Sequence, residues 1–144
     1  MSDVNQHTLI RKEDIAEALA SESQVGARLL EPLRTLSSQR GVPLNILEDR
    51  EVSNDAEVHK QAADLWYCLE GEVRFVCGGE LVSPLVRKNP DGTPNPSEMK
   101  AGEIRGGVEV SMRPGDWLWV PAGVPHQHSS SSVARLVIIK IPVK

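Results

Sequence analysis

The sequence has little cysteine, a deficit of basic charge and no long apolar run, and each shortage removes a class of protein. Two cysteines, Cys68 and Cys77, are too few for a disulfide scaffold, and their spacing is neither CxxC nor that of a zinc finger. Two small core thiols are expected. Acidic residues outnumber basic ones 20 to 16 and no Lys/Arg run exceeds two, so the positive footprint that a phosphate backbone requires is missing. Nucleic acid is therefore not an expected partner. No apolar stretch approaches the roughly 20 residues of a membrane helix, and the opening MSDVNQHTLIRKED lacks the apolar core of a signal peptide. The expectation is a cytoplasmic protein with no membrane partner.

What is present fits one globular domain: 144 residues, 40% hydrophobic, 25% charged, net charge -4. A domain of this length removes roughly 68 to 70% of its unfolded surface from water and needs no metal merely to fold. Any metal would serve function. Glycine and proline divide the chain, because only Gly26 precedes Pro32 among 11 glycines and 10 prolines. Residues 1–32 thus read as an extension with one short amphipathic helix, in which Ile15, Ala18, Leu19 and Glu22 fall at three- and four-residue spacing from Lys12 onward.

Residues 33–144 read as antiparallel β, in short runs of Val, Ile, Leu and Trp broken by Gly, Pro, Asn, Asp or Ser. In DLWYCLEGEVRFVCGGE a two-residue turn at Glu70 and Gly71 predicts a hairpin pairing Leu69 with Glu72, Cys68 with Val73 and Trp66 with Phe75. Alternation puts Asp64, Trp66 and Cys68 on one face with Val73, Phe75 and Cys77. Residues 83–102 hold four prolines, Asn-Pro twice and Asp-Gly without usable periodicity, which predicts a long loop, either a lid or a plain insertion. The serines of 129–132 read as a turn or loop, and VARLVIIKIPV as a buried strand ending at Pro142.

Two stretches carry chemistry. In EVHKQAAD, Glu57 and His59 lie two apart on a predicted strand and so point the same way, and Asp64 opens the next strand. In GDWLWVPAGVPHQH, Pro121 ends a Trp-rich strand, and Gly123 and Pro125 turn the chain so that His126 returns toward the sheet, with His128 following on the same face. Two imidazoles with one or two carboxylates and no thiolate form a nitrogen and oxygen site suited to Mn, Fe, Co, Ni, Cu or Zn. Without a cation, Glu57 and Asp64 facing an apolar interior would lose hydration and tend to take up protons. The plainer readings are a hydrogen-bonded strand histidine at His59, a solvated acid at Glu57, and tryptophans that pack a core or an oligomer interface.

These stretches resemble the two motifs of the cupin superfamily. Gly115, Pro121, Gly123 and His126 match the second motif in identity and spacing, with Ser130 where the family has Asn. In the first motif His59 matches the second histidine, Asp64 the glutamate and Gly71 the closing glycine, while Glu57 replaces the first histidine and Glu51 the opening glycine. Asp is one methylene shorter than Glu, which leaves the reach of Asp64 to a metal open. The resemblance implies an all-β double-stranded β-helix, a jelly-roll barrel with a metal in its mouth, ligated by His59, His126, Glu57 and Asp64. Closure of short antiparallel strands agrees, since it removes exposed edges and leaves a ligand-sized interior.

Such a site leaves an open coordination position for a small polar organic molecule. The expected function is a metalloenzyme of isomerase, lyase or Fe-dependent dioxygenase type, with His128 and Glu57 moving protons. Trp66, Phe75, Gln61 and Arg105 would line the substrate pocket, with Arg105 meeting a substrate carboxylate. The alternative is a non-catalytic barrel that captures a small ligand. A jelly-roll sugar-nucleotide epimerase fits less well, since that chemistry needs a His-Asp base pair and a longer chain. Small cupins commonly form homodimers, for which Trp117, Trp119 and the C-terminal strand offer a surface.

Overall fold

Alternating apolar residues make strands of most of the chain, and a computed structural model describes residues 6–143 of it. In chain order the elements are α1 (Lys12–Ala20), β1 (Gly26–Leu29), α2 (Leu33–Arg40), β2 (Leu44–Ser53), β3 (Ala56–His59), β4 (Ala62–Glu70) and β5 (Val73–Cys77). They continue as β6 (Glu80–Leu81), β7 (Leu85–Lys88), β8 (Pro94–Ala101), β9 (Ile104–Arg105), β10 (Val108–Met112), β11 (Trp117–Val120) and β12 (His126–Pro142). Every pairing is antiparallel, and the fold is the expected all-β jelly roll with a short N-terminal helix.

The 17-residue strand β12 belongs to both walls of the barrel. Its first residues lie between β3 and β5, and its later ones between β2 and β4. The register shifts between Ser130 and Val133. The serines expected to form a loop are instead part of this strand, and the irregularity bends it from one wall to the other, as bulges do at barrel corners.

The Trp66 to Phe75 hairpin does not form. Strand β4 pairs with β11 and β12, and β5 with β10 and β12, so the turn at Glu70 and Gly71 crosses between walls. The face assignment survives this correction because alternation is a property of each strand alone. Trp66, Cys68, Val73 and Phe75 all enter one buried cluster with Met112, Val120, Ala134, Leu136 and Ile138. Gly71 makes the crossing with φ 72°, and a Cβ there would lie 1.9 Å from the carbonyl oxygen of Val133. Cys68 and Cys77 are free thiols.

Two further segments differ from expectation. Residues 83–102 are not a structureless loop: β7 and β8 form an edge hairpin and β8 pairs with β3. Its turn closes through Asn89 N–H to the Thr93 carbonyl, 2.8 Å, and through the Asp91 carboxylate, which accepts from the Thr93 N–H and hydroxyl at 3.0 and 2.6 Å. Pro96 falls where the β7–β8 register slips, so its missing N–H breaks no rung. Residues from Leu33, read as the start of the strands, instead form helix α2, which Gly41 ends in the left-handed conformation. A second apolar cluster, Ala18, Leu30, Leu33 and Ile46, joins both helices to the outer face of β2. Also buried there, Glu48 holds Arg28 at 2.8 Å and Arg135 at 2.9 and 2.8 Å, and Arg135 donates to the carbonyls of Leu19 and Ser21 at 2.6 Å each.

Candidate metal centre

Register brings the candidate ligands together. Glu57 on β3 is the direct partner of His126 on β12, and His59 follows Glu57 on the same face. Asp64 on β4 is the partner of Lys140, so both point inward beside Trp66 and Ile138. Donor atoms of Glu57, His59 and His126 all lie within 4.8 Å of one another, a spacing that fits one cation. His59 Nε2 is 3.2 Å from Glu57 Oε2 and 3.7 Å from Asp64 Oδ2, and His126 Nε2 is 3.2 Å from Asp64 Oδ2. Asp64 thus stands at the edge of the set.

The outward nitrogens fix how these rings face the centre. His126 Nδ1 lies 3.0 Å from the Val124 carbonyl, which can only accept, so in the neutral ring Nδ1 carries the proton and Nε2 presents its lone pair inward. His59 Nδ1 is 2.6 Å from Glu98 Oε1 and is oriented the same way. Asp64 Oδ2 is buried with no hydrogen-bond donor. Two imidazole lone pairs and two carboxylates therefore converge, a donor set that fits a divalent transition metal held by Glu57, His59 and His126 with Asp64 beside them. Mg and Ca, which prefer all-oxygen shells, fit less well.

The ionisation of these groups reflects the crowding. When the His59 ring is doubly protonated, a hydrogen bond from its Nε2 pulls the Glu57 carboxyl down to about 2 against the cost of burial, helped by the charges of Arg87 and His126. Burial disfavours a charged His59, but Glu57, Glu98 and Asp64 outweigh it and raise its pKa, while Lys140 opposes them. Burial likewise works against an ionised Asp64, yet contacts with His126 and Lys140 hold its carboxyl below the ordinary range.

A cavity of about 350 Å³ lies on one side of the centre, with Asn54, Glu57, Trp66, His128, Ile138 and Lys140 among its walls. A second, of about 360 Å³, shares Glu57 and Lys140 with it and is also lined by His59, Ala62, Arg87 and Glu98. In the first, His128 is held from behind: Asp49 Oδ2 accepts from Nδ1 at 2.5 Å, and Asn54 Nδ2 reaches the other Asp49 oxygen at 3.0 Å. Asp49 is fully buried and His128 13% exposed, which leaves Nε2 as the nitrogen free for a ligand. A His-Asp pair of this kind was not expected from the sequence.

Of the residues expected to line the pocket, Trp66 does. Phe75 is fully buried behind the wall, its ring 5.2 Å from Trp66 and 5.3 Å from His128. Gln61 lies exposed between β3 and β4, its amide 3.5 Å from Ser97, and lines neither cavity. Arg105 is exposed on β9, paired with Glu80 of β6, and is likewise absent from the walls of both cavities, and 83–102 is paired into the sheet. Sequence reading missed Asp49, Asn54, Glu98 and Lys140. Alternation could have found two of them: Leu47 to Asp49 on β2 and Ile138 to Lys140 on β12 are two-residue steps along an inward face.

No protein-family model and no curated protein matches the chain. Among solved structures it is similar to an oxalate oxidase at TM-score 0.53 and 13% identity, over 98% of this chain and 61% of that one. A predicted oxalate decarboxylase from Thermotoga maritima follows at TM-score 0.49 and 13% identity, over 81% and 79%. The cupin domain of Drosophila melanogaster CENP-C gives TM-score 0.47 and 13% identity, over 67% of this chain and 55% of that one. The chain thus spans little more than half the length of that structure. At such identity the likeness establishes the fold, that of a small cupin barrel.

Proposed function

We propose that this cupin-fold chain is a metal-dependent enzyme that moves a proton next to the carbonyl of a small organic acid, with His128 as the proton-transfer group. The observation that carries the reading is that one cavity is walled both by Glu57 of the candidate metal centre and by His128 backed by buried Asp49. A metal held by Glu57, His59 and His126 would supply Lewis acidity toward a substrate oxygen. The chain supplies the rest. Asp49 and Asn54 fix the ring of His128 so that Nε2 faces the ligand, and Trp66 and Ile138 exclude water from the reacting carbon. A fixed proton-transfer group beside a Lewis-acidic metal is the pairing that isomerase or lyase chemistry next to a carbonyl requires.

The test is reconstitution with Mn, Fe, Co, Ni, Cu or Zn, followed by NMR detection of deuterium exchange at the carbon beside the carbonyl of short keto acids. Metal-dependent exchange that falls by 100-fold or more in His128→Gln supports the enzyme. Ligand binding without exchange in any metal form points to the second reading, capture without turnover, which Lys140 favours because its ammonium already supplies a cation to the cluster. Failure to bind any metal defeats the first reading.

The surface supports a homodimer as the working form. Trp117 and Trp119 on β11 are 61% and 53% exposed, and β11 pairs with β4 alone, which leaves its other edge open.

A further inference from the structure

Lys140 has no part in the reaction proposed above, yet its ammonium lies inside the candidate metal centre. It donates to Asp64 Oδ1 at 2.8 Å and lies 3.2 Å from His59 Nε2. Both partners belong to the set that converges on a cation, and the inward lone pair of His59 can serve only one of the two. Glu57 Oε2 approaches the same nitrogen at 3.2 Å and wants a proton there, whereas the ammonium wants a lone pair. No single state of His59 satisfies both neighbours. A divalent ion removes the conflict by accepting from the nitrogen and the carboxylate together, and its charge repels the ammonium from the place it shares.

Where the ammonium would go is set by its surroundings. The Lys140 side chain is 44% exposed and lines both cavities, so it can swing without unpacking the core. The cavity behind Glu98 already contains a cation, Arg87, 3.4 Å from Glu57. The cavity that holds His128 contains Asp55 and Glu57 and no lysine or arginine besides Lys140. A substrate carboxylate entering there has no other side-chain cation to meet.

We propose that Lys140 and a divalent metal are alternative occupants of the cluster, and that metal binding hands the Lys140 ammonium to the His128 cavity, where it anchors the carboxylate of the substrate. This rests on the metal reading of the site given above. It makes the binding of metal and of an anionic ligand mutually reinforcing, since each favours the swung-out lysine, and the coupling must be reciprocal.

Calorimetry with Mn²⁺ and with pyruvate, on the full chain and on Lys140→Met, tests both halves. Removing the competing ammonium should tighten Mn²⁺ binding about tenfold or more, and should weaken pyruvate binding to the Mn-loaded protein by a similar factor. In the unaltered protein, Mn²⁺ should raise pyruvate affinity and make Lys140 several times more reactive toward acetic anhydride, read by mass spectrometry. This last measurement needs no variant and holds if Lys140→Met fails to fold. Equal or weaker Mn²⁺ binding in a folded Lys140→Met, or unchanged Lys140 labelling on metal loading, overturns the proposal while leaving the metal site standing. No binding of Mn²⁺ or Zn²⁺ by either protein overturns the metal reading and this proposal with it.

Discussion

Glu57 is a side chain whose ionisation departs far from the ordinary. A carboxyl drawn from 4.5 to about 2 in the folded state contributes stability that is present above pH 4.5 and lost as pH falls toward 2. Metal-free protein should therefore lose thermal stability between pH 4.5 and 2, and Glu57→Gln should flatten that part of the curve in a calorimetric pH series. His59 carries the opposite sign, because a raised pKa favours the folded state below pH 6.5 and the gain disappears as pH rises through the folded value. A metal needs the neutral ring, so affinity should climb over the same interval. Backbone form adds a residue-scale detail. Glu51, which stands where the cupin motif opens with glycine, adopts φ 49°, the left-handed conformation that glycine takes most easily.

At the scale of elements, the edge hairpin of β7 and β8 and the long strand β12 decide how the centre is held. Strand β8 contributes Glu98 to the candidate centre, where it braces His59 Nδ1 at 2.6 Å. Removing that brace in Glu98→Ala should weaken metal binding by about 10 to 100-fold with little change in melting temperature, measured by metal titration beside a thermal scan. On β12, Arg135 neutralises the fully buried Glu48 and ties down the chain after α1. Arg135→Met leaves that carboxylate buried with Arg28 and the Gln24 N–H alone, and should cost about 3 to 5 kcal/mol in denaturant unfolding. The proline content of 83–102 hid this hairpin from the sequence. Its four prolines blur alternation, and the register slip that makes room for Pro96 appears only once β7 lies alongside.

For the whole molecule, the exposed tryptophans are the feature to test. If β11 meets its counterpart in a second copy, Trp117→Asp with Trp119→Asp should convert a dimer to a monomer in light scattering and leave metal binding intact; a monomeric unaltered protein removes the dimer. Two apolar clusters, one inside the barrel and one under the helices, also separate two kinds of legibility. The inner cluster could be read, because Trp66, Cys68, Val73 and Phe75 alternate along single strands. The outer one could not, since Ala18, Leu33 and Ile46 come from three elements whose meeting is not a periodic signal.

The sequence by itself determined the all-β class, the inward faces of β4 and β5 and the juxtaposition of Glu57 with His59, because a two-residue period is a local property of an extended chain. The turn before His126 was legible for a similar reason, proline fixing φ and glycine admitting the positive φ that Gly123 adopts, each at a single residue. Only the tertiary structure decided which strands neighbour each other, that β4 and β5 part company, that Asp49 backs His128, and that Lys140 reaches Asp64 and His59 across 76 and 81 residues. Those are contacts between distant segments, fixed by closure of the two walls around β12, and no local pattern encodes them.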